Sequence, residues 1–422
     1  MFYSVDDNIV KLEGGFPQRK VNSISFTIDD AGFPISNATG HGQLGIASKK
    51  PINIQISTGS NVYSFSSNYQ QNSTYYLSIT SDGQTINGFN QGATSGYFNK
   101  IDFINPIGSQ KTITIIFENI ESIIELRLSQ FNIYGALPNE IKSMISLNSL
   151  SFNVLRHITS FPTDLSPLIN LKELNLRILS SSKFDKIPDS FFNLDLERFQ
   201  ASSVFDCSNE VSSNLFKVNQ WTNMINLDLR DNNINYLPSD WQSMANTLTT
   251  LRIDSNEYTY LPPALSLFSN INRFDFGINN SVRQPWFDMS LWNQLSTMYI
   301  YGDIGISDIS SAWIHLFSLR SINNFHSWIN NTTDFNEFIN AFYTLCTNEA
   351  YLDTSTPTAQ ADEYPNKFRD ISWGHSSLTP TGNYQAPTGF VLGVSNGNPA
   401  NEAEKIYVLV NNYGHTVTFN QS

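Results

Sequence analysis

The chain has 422 residues, with 24 Lys+Arg against 37 Asp+Glu, a formal net charge of −13. Only 14% of residues are charged while 40% are hydrophobic and 13% aromatic, so the composition excludes a charge-driven disordered chain and supplies enough apolar mass for a sizeable core. The acidic balance, with no basic stripe, argues against nucleic acid as a partner. Asn, Ser and Thr carry the polarity that charges do not, which suits exposure outside a cell. The start, Met1 to Gly15, has no basic run followed by a long apolar core, and no stretch approaches 18 apolar residues. The sequence therefore predicts neither a secretory signal nor a membrane span.

Residues 1–118 alternate apolar and polar in short runs, such as Ile24-Phe26-Ile28, Ile52-Ile54-Ile56 and Ile113-Ile115-Phe117. Gly, Asn, Ser and Pro punctuate them. Period-two alternation places one side of each run on a core, and the spacing predicts an N-terminal antiparallel β-sandwich.

From residue 119 the texture changes to a repeat. Leu126-Arg127-Leu128, Leu150-Ser151-Phe152, Leu174-Asn175-Leu176, Phe199-Gln200-Ala201, Leu227-Asp228-Leu229, Leu251-Arg252-Ile253, Phe274-Asp275-Phe276 and Met298-Tyr299-Ile300 recur at steps of 23 to 28 residues, and Ile322 closes the series. Apolar-Pro pairs follow at Pro138, Pro162, Pro188, Pro238 and Pro262. Three and six residues past each proline stand apolar side chains, such as Ile141 and Met144, on one face of a short helical turn. Each unit reads as strand, turn and helical return, which cannot bury its apolar face without a neighbour. This pattern resembles that of leucine-rich repeat proteins and implies a curved α/β solenoid over 119–333. Asn232 and Asn256 stand where such repeats place an asparagine; Phe131, Leu155 and Leu179 interrupt that ladder elsewhere.

Residues 334–422 read as a small mixed C-terminal cap over the open end of the solenoid. Asp334 and Glu337 form a candidate capping box for a helix with its stripe at Phe335, Phe338, Ile339, Phe342 and Leu345. A second helix carries Ala403, Ile406, Leu409 and Val410, with Pro399 in its first turn and Gly414 as a left-handed C-terminal cap. The stretch from Trp373 to Gly393 and Glu404 to His415 is similar to modules attached to phage-tail and bacterial surface proteins. That resemblance implies no catalytic residue.

No His-Glu-x-x-His, Gly-x-Ser-x-Gly, phosphate loop, dinucleotide fingerprint or Cys-x-x-Cys occurs, so no catalytic residue, cofactor or metal is expected. Cys207 and Cys346 read as buried thiols, and His41, His157, His315, His326, His375 and His415 as isolated surface or loop residues. Asp6-Asp7 and Asp29-Asp30 lack calcium-loop spacing and read as solvated turns. The organised polar feature is the outward face of the repeat strands, where Asp228, Arg230, Arg252, Asp254, Arg273, Asp275, Tyr299 and Tyr301 fall together. This strip admits two readings: ion pairs that keep an exposed sheet soluble, or a docking surface for glycan or protein. On either, replacing Arg252 or Tyr299 by Ala is expected to change stability by no more than about 1 kcal/mol.

The sequence thus predicts a non-enzymatic recognition protein. Placed with its resemblance, it is expected to be an exposed virion protein of a bacteriophage, a tail fibre or spike. Residues 1–118 would mount it on other virion proteins and hold a homo-oligomer, while the repeats contact a host surface glycan or protein. A secreted surface adhesin is the alternative, and a glycan-degrading enzyme a more distant one.

Overall fold

The computed structural model describes residues 22–29, 43–57, 62–67, 69–80, 99–100, 110–129, 133–155, 158–162, 164–178, 183–206, 214–258, 260–277, 284–285, 287–301, 306–307, 316, 319, 321–323, 331–347, 372–375 and 377–420. Its backbone is a long parallel ladder. In order, the strands are Ile123–Ser129, Ser149–Leu155, Glu173–Ile178, Arg198–Ser202, Asn226–Asp228, Thr250–Arg252, Arg273–Gly277, Thr297–Tyr301 and Ser321–Asn323. The anchor residues meet in register from Leu126 through Leu150, Leu174, Phe199, Leu227, Leu251, Phe274 and Met298 to Ile322. A repeat length held near 24 residues explains this: each return brings the next strand beside the last, the few extra residues are taken up in the loops, and a one-residue slip would turn the whole apolar set to water. The ladder is a leucine-rich repeat solenoid.

The return segments are short 3₁₀ turns, among them Asn139–Ser143, Asp189–Asn193, Trp241–Met244 and Pro263–Leu267. The side chains three and six past each proline are all buried, from Ile141 and Met144 to Leu265 and Phe268. Tryptophans strengthen this side. Trp221 Nε1 donates to the Phe191 carbonyl at 3.0 Å, and Trp292 Nε1 to the Leu265 carbonyl at 2.9 Å, each reaching back one repeat. Asn232 and Asn256 do so on the turn side. Asn232 Oδ1 accepts from the Val204 and Phe205 amides, while its Nδ2 donates to the Ala201 and Leu229 carbonyls. Asn256 Oδ1 accepts from Ile234, and its Nδ2 donates to Leu229 and Ile253. Leu251 is fully buried at the centre of the stack. Leu251→Ala is expected to cost about 2–5 kcal/mol in urea denaturation, through the cavity it leaves between two repeats; a loss under about 1 kcal/mol would place Leu251 outside the core.

The N-terminal strands continue both layers of the solenoid. Gln43–Ser48 pairs antiparallel with Ile123–Ser129, setting Ile46 opposite Leu126, and pairs on its other side with Thr74–Thr80. A second sheet runs Ile158–Ser160, Ile133–Ala136, Ser23–Asp29, Gln110–Phe117, Asn53–Ser57 and Val62–Ser66. Its inner side chains include Ile24, Phe26, Ile54, Ile56, Ile113 and Ile115, buried in one continuous core with Leu126, Leu128 and Ile133. Neither strand pairing nor core breaks at the expected 118/119 division.

The C-terminal segment supplies helices α1 (Thr332–Cys346) and α2 (Glu402–Tyr413). The capping differs from the sequence expectation. Asn331, not Asp334, caps α1: its extended backbone lets Oδ1 accept from the Asp334 amide at 3.0 Å while its Nδ2 donates to the Asp334 carboxylate at 2.7 Å. Asn401 caps α2 in the same way, accepting from the Glu404 amide, so Pro399 lies before the helix and outside its first turn. Gly414 has the expected left-handed φ of +69°. The apolar stripe of α1 is buried, as are Ala403, Ile406 and Leu409 of α2, whereas Val410 is half-buried. His415 departs from the expectation of an exposed residue. It is buried against the Phe342 ring with Nε2 3.7 Å from Cys346 Sγ, and burial pushes its pKa down to about 3. Burial likewise raises the Cys346 thiol. Cys207, His41, His157, His315, His326, Asp6, Asp7 and Asp30 lie outside the described residues.

Candidate polar face of the repeat sheet

Strand alternation sends the residues between the anchors to the solvent side of the sheet. Register aligns them in rows. The central row runs Arg127, Ser151, Asn175, Gln200, Asp228, Arg252, Asp275, Tyr299 and Asn323, one residue per strand. No aliphatic residue occupies an outward position of this row or of its neighbours on strands from Ile123–Ser129 to Thr297–Tyr301.

The structure joins the predicted charged residues into one chain. Asp228 Oδ1 accepts from Arg230 Nε at 2.8 Å, and its Oδ2 pairs with Arg252 Nη1 at 3.2 Å. Arg252 Nε then reaches Asp275 Oδ2 at 2.6 Å. Arg273 closes the series with Nη2 2.8 Å from the same oxygen and Nε 3.0 Å from Asp275 Oδ1. Beyond it, the Arg273 guanidinium carbon lies 4.7 Å from the Tyr299 ring centre, a cation–π contact. Tyr301 ends the same strand.

The aspartates lie on the solvent side of the sheet, as the sequence predicts, but they are not exposed there. Asp228 and Asp275 are 3% and 0% exposed, and Asp254 is 4% exposed. The reason is electrostatic: a short carboxylate stays near the sheet, and two longer arginines fold over it, so the arginines take the solvent side. The hydrogen bond that Arg273 donates to Asp275 is the largest influence on its pKa and raises it. For Arg230, desolvation pulls downward but the hydrogen bond and charge of Asp228 outweigh it, and the pKa rises. Arg252 is therefore a bridge between two buried carboxylates. Its removal is expected to destabilise by more than the 1 kcal/mol inferred from sequence, because each aspartate would lose one of its two cations.

Asp254 behaves differently. Burial, reinforced by the charge of Asp275 and opposed by Arg230 and Arg252, lifts its pKa from 3.8 to about 6. Its Oδ1 is buried with no hydrogen-bond partner among the described residues. With the folded-state pKa above the unfolded one, the native protein binds more protons between pH 4 and 6, so stability falls as pH rises through that window. Asp254→Asn removes this cost. The variant is expected to match the parent near pH 4 and to exceed it by on the order of 1–2 kcal/mol at pH 7 after solvent screening. His415 acts in the opposite sense, withdrawing stability as pH drops below its ordinary value, and cancels in the difference between the two proteins. Equal stabilities at pH 7 would contradict the assignment.

Towards the first repeats the face carries a looser set. Arg198 pairs with Glu173 on the adjacent strand, and Arg127 lies 3.9 Å from Glu125. Burial, with Arg127 opposing and Glu173 adding, raises the Glu125 carboxyl. A hollow lined by Asn22, Asn53, Gln55, Ser64 and Glu118 lies on the other sheet and gathers no catalytic set. Among the described residues no group of His, Cys, Asp and Glu is placed to hold a metal ion, and no helix is long and apolar enough to cross a membrane.

No protein-family model and no curated protein matches the chain. Solved leucine-rich repeat structures are similar. An internalin (inlF) from Listeria monocytogenes is 20% identical with a TM-score of 0.34, over 53% of this chain and 73% of that one. PEPR1, crystallised with AtPEP1, is 21% identical with a TM-score of 0.35, over 45% of this chain and 26% of that one. A leucine-rich repeat protein of Leptospira interrogans is 15% identical with a TM-score of 0.29, over 49% of this chain and 56% of that one. The match thus spans about a quarter of PEPR1 and just over half of the Leptospira protein.

Proposed function

We propose that the chain is a non-enzymatic recognition protein that binds an extended partner along the solvent face of its repeat sheet. The observation that carries this is the central row, Arg127 to Tyr299, which crosses eight strands of the ladder with polar side chains and one aromatic ring. Such a surface offers length and many hydrogen-bonding groups, which suits an elongated ligand. Probing glycan and peptide arrays with the full chain tests it. Gln200→Trp places bulk in the middle of the row and is expected to weaken capture at least tenfold. Ile169→Trp, on a return segment and already 74% exposed, is expected to leave capture unchanged. Equal effects of the two substitutions would move the site off the sheet.

Attachment to a phage particle, with virion proteins at residues 1–118 and a host surface at the repeats, is carried by the resemblance of the C-terminal segment. The homo-oligomer expected with it is tested by sedimentation of the full chain, where a concentration-independent monomer removes it. Separate expression of residues 1–118 is unsuitable, because Gln43–Ser48 needs Ile123–Ser129 as its neighbour.

A further inference from the structure

Arg252 and Arg273 lie on adjacent strands and Arg230 lies two residues past the end of Asn226–Asp228, so the three positions step back two residues per repeat. With strands about 4.8 Å apart and about 3.3 Å rise per residue, the backbone positions of Arg252 and Arg273 lie roughly 8 Å apart, while their guanidinium groups converge on the same Asp275 oxygen. The carboxylates between them, Asp228 and Asp275, lie beneath the guanidinium groups and are almost wholly buried. The three arginines keep part of their side chains in solvent, 23%, 21% and 34% exposed. Among the described residues, their bonds to the aspartates engage only Nε of Arg230, Nε and Nη1 of Arg252, and Nε and Nη2 of Arg273. The outer nitrogens of the diagonal thus remain as donors. A protein of net charge −13 here presents a line of outward cationic donors.

Resting on the recognition role proposed above, we propose that this diagonal, ending at Tyr299, is the specificity-determining subsite for a linear acidic polysaccharide, whose carboxylates or sulfates pair with the three guanidinium groups. Anions along a stiff sugar chain suit a row of cationic donors, and guanidinium forks match the geometry of both anions. The surroundings favour sugar over peptide. Peptide recognition relies on apolar pockets that anchor side chains, and the outward positions hold none. They hold instead hydroxyls and amides, such as Thr250, Thr297 and Gln200, which suit sugar hydroxyls.

The test uses the full chain, with calorimetric titration of four probes: oligogalacturonate for carboxylates, a heparin oligosaccharide for sulfates, a maltooligosaccharide as the neutral sugar, and oligoglutamate as the acidic peptide. Binding of at least one acidic oligosaccharide, weakened by salt, is expected, with the neutral sugar and the peptide roughly tenfold weaker or absent. Arg230→Gln and Arg273→Gln are each expected to lower that affinity by roughly tenfold, since each removes a charge-assisted contact. Arg230→Gln is the milder change for folding, because Asp228 keeps Arg252, and a thermal melt of each variant confirms the folded state. Tight binding of the neutral sugar, or equal binding of oligoglutamate, overturns the acidic-polysaccharide assignment. If that binding is still blocked by Gln200→Trp, recognition along the sheet survives. Acidic-sugar binding unchanged in both arginine variants overturns the subsite. Failure of all four probes overturns the assignment as well, while capture of another array ligand blocked by Gln200→Trp would preserve the broader role.

Discussion

Asp275→Ala is expected to cost about 3–5 kcal/mol of stability, although the residue sits on the solvent side of the sheet. Its side chain is completely buried and receives Arg252 from one side and Arg273 from the other. Truncation strands Arg273 without a carboxylate and leaves Arg252 with Asp228 alone, at 3.2 Å. Water reaches both arginines, which are 21% and 34% exposed, so the lower end of the range is the closer figure. Asp275→Asn keeps one acceptor oxygen but turns an amide donor towards a guanidinium, and about 2 kcal/mol is expected. Urea denaturation of both variants reads the pair. A loss under 1 kcal/mol for Asp275→Ala would mean that the network is a loose surface pairing of the kind whose worth is near zero.

Trp221→Ala is expected to cost at least as much, about 3–5 kcal/mol, from the opposite side of the solenoid. The indole is buried between repeats, with the Phe192 ring centre at 5.1 Å and the Phe199 ring centre at 4.8 Å. Phe199 is itself a strand anchor, so the indole links the return side to the ladder. Trp221→Phe keeps an aromatic ring but leaves the Phe191 carbonyl without its indole donor, and about 1–2 kcal/mol is expected. The gap between the two variants separates packing from the hydrogen bond. Similar losses for both would assign the whole effect to the bond.

The ladder was legible because its cause is periodic. A repeat near 24 residues fixes which leucine lies beside which, and every anchor from Leu126 to Ile322 paired as its position requires. The prolines located the return turns for the same reason, since the chain must reverse at a constant place in each unit. The polar face was legible as a set of positions: Asp228, Arg230, Arg252, Arg273, Asp275 and Tyr299 do come together. Its depth was not. Alternation assigns a residue to a side of the sheet and says nothing about which partner folds over it, so the burial of Asp228 and Asp275 emerges only when side-chain lengths meet across strands. The same holds at the helix starts. Asn331 and Asn401 outcompete their neighbours because an extended backbone at the residue before the first turn lets a short amide reach the third amide of the helix. The continuity of Gln43–Ser48 with the first repeat had no periodic signal, since antiparallel pairing between distant segments leaves none. His415 was misplaced for a related reason: its surroundings come from α1, sixty-nine residues away.

Hydroxyl-radical footprinting of the full chain, alone and saturated with its tightest array ligand, tests recognition along the sheet most directly. The account predicts protection of Tyr299, with Ile169, Leu267 and Leu291 on the return segments and Leu392, in the turn between the paired strands Thr388–Val391 and Ser395–Asn398, as reactive as before. Protection of those exposed apolar residues with Tyr299 unchanged would contradict it.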